Sequence, residues 1–438
     1  MHLHFLAKMK FTLTIFCLGA MAVSLEAFAP MIISKHHRMT DRSVVTLAQS
    51  TNPLDEMSEE RKANLFQFLL RDLEVEGAPL LGCDADQPPT LQAALWTTMA
   101  ELSEKETEEK ACLVLENIPV DALRVFVDDF VLLKLEPRMM SYLPELSRFS
   151  ISLVGKGVGP ALLVECAEWS NEEKEKYVAI RDSAPQPNEL AWQGAMKTFV
   201  ARLIAGKEVC PHVKDNIMAP AGLEQLGISP APIAYRLVGT PNVCDIMAAF
   251  WNCMCELLAV PEDQLGSTIL CFPPVPEDAD PKEAHNRFSI VAELISRSLF
   301  LYRGGDVLDL WHMHPYYDRD LVHPVDKPQH GHLPPTGWVR AMLRASGRMQ
   351  EAENLTDEQI KLQNYQRRSP LPAVVIKRVS QLEAAGTPEN GMIQLDLGGG
   401  RFEPASGLAT YSKNALRMAE EGQEALQAAL KSEMEIAK

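Results

Sequence analysis

Five histidines are concentrated in one short stretch of the sequence: His312, His314, His323, His330 and His332. Histidine is the most common neutral metal ligand and titrates near neutral pH. On a predicted strand over 307–314, His312 and His314 share one face, because alternate side chains point the same way. The pair predicts a divalent-metal platform, completed by Asp318 or Asp320, with His314 as acid or base in a metal-free alternative. Strand-end polar residues, and surface histidines for the other three, are the simpler alternatives.

A single thiol, Cys210, follows the first helix predicted in the second half of the chain. Pro211 ends that helix, so Cys210 lies on its last turn or just beyond it. A helix C-terminus raises the pKa of a thiol and argues against easy activation, although Lys207, His212 and Lys214 supply local positive charge. Cys210 is therefore a candidate nucleophile or ligand, with a small buried apolar residue as the alternative.

Two adjacent guanidinium groups precede a Ser-Pro pair at Arg367, Arg368, Ser369 and Pro370. Serine is a good N-cap and proline suits the first helical position, so the pattern predicts that a helix begins here. Arginines beside the free N–H groups of a helix start would bind a carboxylate or a phosphate. Helix capping with surface or intramolecular salt bridges is the alternative.

The elements that must position these residues alternate along the second half of the chain. Helices are predicted over 192–205, 243–258 and 284–302, and strands over 233–238, 267–272 and 307–314. With the helix predicted after Ser369, this order favours an α/β fold with one sheet, and α+β is the alternative. Open α/β sheets bind ligands at strand ends, where the candidate residues lie.

The preceding region is predicted to be mainly helical. Apolar stripes with helical spacing occur at 65–73, 91–103, 109–117, 120–134 and 139–154. The glycine-rich segment 155–159 lacks phosphate-loop spacing and is interpreted as a helix-terminating turn. Residues 181–188 form a predicted linker, and a tail helix over 412–436 has a weak apolar seam suited to the body of the protein or to a partner.

The first fifty residues have the character of a targeting sequence. Lys8 and Lys10 precede an apolar stretch over 11–25, which is the length of a signal-peptide core, and a cut after Ala27 leaves Phe28 first. Residues 28–50 are basic, poor in acids and typical of a transit peptide. The junction at 26–30 resembles that of the bipartite presequences of algae with complex plastids, which implies a chloroplast stroma location; plain secretion is the alternative. Translation from Met1 or from Met9 gives nearly the same signal.

The overall charge excludes some functions. The 438 residues include 42 Lys and Arg against 59 Asp and Glu, a formal net charge of −17. This field repels nucleic acids and anionic lipids, so no nucleic-acid partner is expected. No long apolar run follows the signal core, so a soluble protein without an integral membrane segment is predicted.

The second half resembles the bacterial and plastid proteins called domain of unknown function 1415, over residues 188–385. The resemblance is carried by Trp192 and, in matching order, by 209–212 (Val-Cys-Pro-His), 314–316 (His-Pro-Tyr) and 367–372 (Arg-Arg-Ser-Pro-Leu-Pro). This chain departs from the family in having His212 in place of an aromatic, no histidine in the helix after Ser-Pro, and a longer segment between His314 and Arg368. The family has no established activity, so the resemblance implies fold and position rather than a reaction.

Two functions from different classes follow. The first is a small-molecule-binding or catalytic domain, with Cys210 and His314 as candidate catalytic residues. Its candidate anion-binding residues are Arg367, Arg368, Ser369 and Tyr316, and a divalent metal on His312 and His314 is its conceivable cofactor. The second is a non-catalytic plastid scaffold or assembly factor that binds a protein partner through 51–185 or the 412–436 helix. The predicted organisation is a signal peptide (1–27), a transit-like segment (28–50), a helical region (51–185), an α/β domain (188–385) and a tail (386–438).

Overall fold

A computed structural model describes residues 80–84, 88–116, 120–154, 161–207, 209, 232–262, 264–301, 307–321, 333–379 and 391–438. The predicted targeting sequence, the stripe at 65–73 and the turn at 155–159 lie outside the described residues, as do Cys210, His212, His323, His330 and His332. The chain divides into two compact units. The first comprises the described part of Met1–Ser141 and Leu146–Trp169, and the second comprises Tyr142–Glu145 and Ser170–Lys438.

The first unit contains a four-stranded sheet. Its elements are β1 (Leu80–Asp84), α1 (Pro88–Ser103), β2 (Glu109–Glu116), α2 (Val120–Lys134), α3 (Pro137–Tyr142, whose last residue belongs to the second unit), β3 (Phe149–Val154) and β4 (Ala161–Cys166). The strand order is β1-β2-β4-β3, with β1 parallel to β2 and the other neighbours antiparallel. The helix between two parallel strands is a βαβ crossover.

The helical prediction for this region is only partly right. The stripes at 91–103 and 120–134 are helices α1 and α2, but 109–117 is strand β2 and the end of 139–154 is strand β3. Short apolar runs fit a buried strand as well as a helix, and no periodicity distinguishes them. The first unit is therefore a mixed structure of helices and a sheet and is not mainly helical.

The second unit repeats this strand arrangement and adds helices around it. Its elements are α4 (Asn171–Ser183), α5 (Glu189–Phe199), β5 (Ile233–Leu237), α6 (Val243–Ala259), β6 (Ser267–Cys271), α7 (Pro281–Leu301), β7 (Leu308–Met313), α8 (Thr336–Ala345), α9 (Met349–Asn354), α10 (Asp357–Lys361), β8 (Ala373–Arg378), the hairpin β9 (Ile393–Asp396) and β10 (Phe402–Ala405), α11 (Leu408–Glu421) and α12 (Gln423–Ile436). The order β5-β6-β8-β7 has one parallel pair, β5 with β6, followed by two antiparallel pairs. The molecule is an α/β protein, as predicted.

The three predicted strands of the second unit lie within a residue of β5, β6 and β7, but the segment after Ser369 was wrongly predicted. Ala373–Arg378 is the central strand β8, not a helix, and every residue in it is buried. The Ser369 hydroxyl donates to the Leu371 carbonyl instead of capping a helix. A short apolar run closed in by proline is typical of a strand covered on both faces. The proposed helix-start anion site therefore does not exist.

The tail packs against the second unit. The predicted single helix over 412–436 is two helices, α11 and α12, separated at Gly422 with φ +79°, a backbone conformation that favours glycine. Leu426 and Leu430 of α12 are buried in a core with Trp192 of α5. Glu433 accepts two hydrogen bonds from Arg202, which lies in the π-helical stretch Val200–Ala205. The seam of the tail is thus covered by this chain itself.

Within each unit a buried arginine satisfies carbonyl groups at the end of the crossover helix. In the first unit, Arg148 donates to the carbonyls of Ser103 and Lys105, at and just beyond the end of α1, and to that of Ala167. In the second, Arg378 donates to the carbonyls of Leu257 and Val260 at the end of α6. The last carbonyls of a helix have no partner within the helix, so each arginine replaces water there.

No helix of the described residues is long and apolar enough to span a membrane.

Candidate functional site

The strand geometry predicted for the two histidines is confirmed. The ring of His312 lies 6.4 Å from that of Phe288 on α7, and the ring of His314 stacks on Phe288 at 5.2 Å. The intervening Met313, together with Trp311, packs into the core on the other face of the sheet. His312 and His314 are both 1% exposed, so they are buried residues and not polar groups at an open strand end.

A third histidine, His285 on the first turns of α7, completes a cluster that the sequence did not reveal. Its ring lies 5.3 Å from the His314 ring and 5.7 Å from the Tyr317 ring, edge to face in both cases. His285 is 0% exposed, and neither ring nitrogen has a hydrogen-bond partner among the described residues. Leaving a buried polar group without a partner costs about 1–3 kcal/mol, so packing alone gives no reason for an imidazole here.

The environment keeps these imidazoles neutral. Burial, aided by the nearby His285, lowers the pKa of His314 well below its usual value. Burial also lowers the pKa of His285 to about 4; Asp318 raises it and Arg368 lowers it by smaller amounts. The backbone N–H of Tyr316 donates to Nδ1 of His314 at 3.1 Å, which places the His314 proton on Nε2. At neutral pH His314 can donate from Nε2, and His285 can accept.

The two arginines of the 367–368 pair lie in different surroundings. The guanidinium of Arg367 is 2% exposed and stacks over Trp311 at 3.9 Å, away from the histidines. Arg368 is half-buried, stacks over Tyr365 at 4.6 Å and donates from Nε to the Tyr317 carbonyl at 3.0 Å. Only Arg368 is therefore placed to act on a ligand beside His285.

A short loop after β7 contributes a carboxylate to the same place. Asp318 is half-buried, and its Oδ1 accepts hydrogen bonds from Nδ2 of Asn364 at 3.2 Å and from the backbone N–H of Asp320 at 3.0 Å. The buried ring of Tyr317 is oriented by its hydroxyl, which accepts from the Leu333 N–H at 3.1 Å, and burial raises the pKa of Tyr317 to about 12. Tyr317 is thus a neutral wall of the site.

Of the remaining predicted site residues, Tyr316 lies at the site and Ser369 does not. Ser369 is buried and bonded to its own turn, so it does not face a ligand. Tyr316 is half-buried with its ring 5.9 Å from His314, close enough to belong to the site. Cys210 lies outside the described residues; its neighbour Val209 is buried in the core on the Trp311 face of the sheet, the face opposite the histidines. The position of Val209 therefore gives no support to the prediction that Cys210 lies close to His314.

The predicted metal platform also lacks further ligands in the described part of the chain. No group of three or more His, Cys, Asp and Glu in that part is arranged to hold a metal ion. Asp318 and Asp320, the predicted additional ligands, hold the loop after β7: the carboxylate of Asp318 is engaged by Asn364, and that of Asp320 pairs with Lys361 at 3.3 Å. A metal held by His312 and His314 stays a prediction without a described ligand set.

The missed residue His285 left a weak sequence signal. It lies on the apolar stripe of its helix, with Phe288, Ala292 and Ile295, at positions that all become buried. A lone histidine on an apolar stripe is compatible with either a core residue or a site, and its partner His314 is distant in sequence.

Comparison of the chain with models of known families, with curated proteins and with solved structures gives no match.

Proposed function

We propose that the second unit binds a small anionic ligand beside Arg368, with the neutral imidazoles of His285 and His314 as its hydrogen-bonding partners. The observation that carries this proposal is the buried His285 ring, neither nitrogen of which has a hydrogen-bond partner in the described part of the chain. A buried polar group without a hydrogen-bond partner lowers the stability of a protein. Such groups are therefore typical of binding or catalytic sites. The half-buried Arg368 supplies the charge that attracts an anion.

The geometry supports a general-base role for His285 if the ligand is a substrate. An imidazole whose pKa is lowered to about 4 is unprotonated at neutral pH and can accept a proton from a bound hydroxyl or ammonium group. The positive charge of Arg368 would hold the ligand, and His314 would donate a hydrogen bond from Nε2. Tyr316 would border the ligand from the loop that follows His314.

The test is binding of propionate or inorganic phosphate to the protein without its targeting sequence, followed through the ring-proton NMR signals of the histidines. We expect saturable shifts of the His285 signal, assigned with His285→Leu, and at least tenfold weaker binding in Arg368→Gln. The exposed Arg401→Gln is the matched control and should bind as the unmodified protein does. Absence of any His285 shift, or an unchanged affinity in Arg368→Gln, would contradict the proposal.

We infer from the sequence that the protein acts in the plastid stroma, through a bipartite presequence at 1–50. The aromatic Phe28 after the predicted cleavage point is the residue that this inference depends on. A fluorescent protein fused to residues 1–50 should enter the plastid of an alga with complex plastids, and Phe28→Ala should divert it into the secretory pathway. Secretion of the unmodified fusion would support the plain signal-peptide alternative.

We also propose membership of the domain of unknown function 1415 family for residues 188–385. The support is the ordered set of short motifs, one of which, His314-Pro315-Tyr316, lies directly at the site. A solved structure of a member of that family should then have the order β5-β6-β8-β7, with its His-Pro pair directly after the third strand. A different strand order would refute the relationship.

A scaffold function is the second candidate, and one surface favours it. Val131, Leu132 and Leu135, at the end of α2, are 49%, 54% and 70% exposed and form an apolar patch on the first unit. Placing two lysines there, in Leu132→Lys with Leu135→Lys, should abolish cross-linking to a protein partner in plastid extract. Leu190→Lys, at a site 85% exposed in the second unit, is the matched control. Equal cross-linking by all three proteins would exclude this surface.

A further inference from the structure

The proposed anion site carries a negative charge as well as a positive one. Arg368 donates from Nε to the Tyr317 carbonyl, Asp318 follows Tyr317 in the chain, and the Tyr317 ring lies 5.7 Å from the His285 ring. The two charges also act on the pKa of His285 with opposite sign. Among the described residues, neither side chain forms an ion pair within 4.0 Å: Asp318 accepts from Asn364 and from the backbone N–H of Asp320, and Arg368 donates to the Tyr317 carbonyl. Two opposite charges held near one buried group offer a ligand both signs of charge.

The two charges are held in place by the same residues. Nε of Arg368 donates to the carbonyl of Tyr317, the peptide group from which Asp318 continues, at 3.0 Å. Asn364 fixes both sides: its Nδ2 donates to Oδ1 of Asp318 at 3.2 Å, and its backbone carbonyl accepts from the Arg368 N–H at 3.1 Å. No other described residue donates to Oδ2 of Asp318 or accepts from the Nη atoms of Arg368, so these atoms are the ones offered to a ligand. Such preorganisation lowers the entropy lost on binding.

A ligand with only one charge satisfies only half of this arrangement. A simple carboxylate would pair with Arg368 but would lie against the Asp318 carboxylate, and a simple amine would be repelled by Arg368. A ligand that carries both an ammonium and a carboxylate group satisfies both, because charge-assisted hydrogen bonds are the strong ones. The rings next to these charges, those of Phe288, Tyr317 and the neutral His285, are apolar or weakly polar and therefore favour a ligand with a short apolar side chain.

We propose that the ligand is a small zwitterion of the α-amino acid class, with its carboxylate on Arg368, its ammonium on Asp318 and its side chain towards His285. This inference rests on the proposed anion site and narrows its ligand. Asp318 then becomes the residue that determines specificity, because it separates amino acids from simple acids. His285, whose ring nitrogens have no hydrogen-bond partner among the described residues, is placed to accept a hydrogen bond from the same ligand.

The experiment compares three probes that differ by one charged group: L-alanine, propionate and ethylamine. Affinities for the full mature chain are measured through the His285 ring signal. We expect L-alanine to bind at least tenfold more tightly than either propionate or ethylamine. Asp318→Asn should weaken L-alanine at least tenfold and leave propionate equal or tighter, whereas Arg368→Gln should weaken both. Asp320→Asn, a neighbouring and exposed carboxylate, is the matched control and should leave all three affinities unchanged.

The outcomes separate this inference from the function beneath it. If propionate binds as tightly as L-alanine and Asp318→Asn changes neither, the site is a simple anion site and the zwitterion proposal is wrong. If no probe shifts the His285 signal, the anion site itself is wrong. A folded state for each variant is checked by its melting temperature, and if Asp318→Asn does not fold, the ranking of the three probes on the unmodified chain decides alone.

Discussion

The first and second units have the same strand order but differ in what lies between the last two strands. Strands β3 and β4 are joined by the short segment 155–160, whereas β7 and β8 are separated by residues 314–372, which contain helices α8, α9 and α10. His314, Asp318 and Arg368 all belong to that long segment. The shared frame therefore supports the sheet in both units. The long segment 314–372, called the insertion below, contributes three residues of the candidate site, and His285 of α7 contributes a fourth.

The register of the antiparallel pairs β3–β4 and β7–β8 allows the two units to be compared position by position. Phe149 pairs with Cys166 at one end of β3, as Leu308 pairs with Arg378 at the same end of β7. Counting from these ends, Leu153 occupies in the first unit the position of His312 in the second. No histidine occurs between His37 and His212, so the first unit has no imidazole chemistry at its sheet. The two units thus share a strand arrangement, and in the described residues only the second has histidines at its sheet.

The largest effect should come from the feature that the two units share. Replacing Arg148 or Arg378 with methionine leaves buried helix-end carbonyls without partners, and we expect a loss of about 4 kcal/mol in the stability of the unit concerned. Amide hydrogen exchange should show reduced protection in β2 and β4 for Arg148→Met, and in β6 and β8 for Arg378→Met. The exposed Arg401→Met should change protection by less than about 0.5 kcal/mol. A small loss in either unit would contradict the common role.

The sequence predicted this frame unevenly, for physical reasons. Strands β5, β6 and β7 were predicted because each run ends at a proline or glycine turn and lies between clear helices. β8 was predicted as a helix because Ser369 and Pro370 resemble a helix start. It is a strand because β6 and β7 pair with its two edges, contacts that are distant in sequence. In the same way β2 was assigned to a helix, because an unbroken apolar run has no period.

The site was less predictable than the frame. The shared face of His312 and His314 follows from strand geometry, which is local. The approach of His285 to His314, and the separation of Arg367 from Arg368 by their stacking on Trp311 and Tyr365, depend on which elements pack together. Such contacts between distant residues leave no spacing pattern in a single sequence.

The second prediction uses pH to separate the two units. The pKa of His285 is lowered from 6.5 to about 4 in the folded state, so the unfolded chain takes up the proton first as the pH falls. Stability of the second unit, complete above pH 6.5, should fall by about 1 kcal/mol by pH 5.5 and by about 3 kcal/mol by pH 4, with His314 adding in the same direction. The protection of the β6 and β8 amides against hydrogen exchange should therefore fall between pH 7.5 and pH 5.5.

The first unit is the internal control for that experiment, because its described residues contain no histidine and its protection should stay constant over the same range. His285→Leu should reduce the pH dependence of the second unit, since one of the two buried groups that take up a proton is gone. An equal loss of protection in both units, or an unchanged slope in His285→Leu, would show that burial of this imidazole does not govern the acid response.

The smallest effect tests whether the insertion is coupled to the site. Thr356 and Gln359 form a capping box at the start of α10, with bonds of 3.2 and 2.9 Å, and α10 leads through a 3-10 helix at Leu362–Gln366 to Arg368. Thr356→Ala should cost about 1 kcal/mol of local stability. If the insertion positions Arg368, hydrogen exchange should speed up from α10 to Arg368, and L-alanine or propionate should bind a few-fold more weakly.

A cap of the same kind elsewhere in the second unit provides the matched control. The Ser170 hydroxyl accepts from the Glu173 N–H at 3.3 Å at the start of α4, a helix that contributes no residue to the site. Ser170→Ala should therefore lose a comparable cap and leave probe affinity unchanged. Equal weakening by both variants would mean that the affinity follows general stability, and the insertion would then be only an addition to the frame. A loss confined to Thr356→Ala makes the insertion the part of the second unit that builds the site.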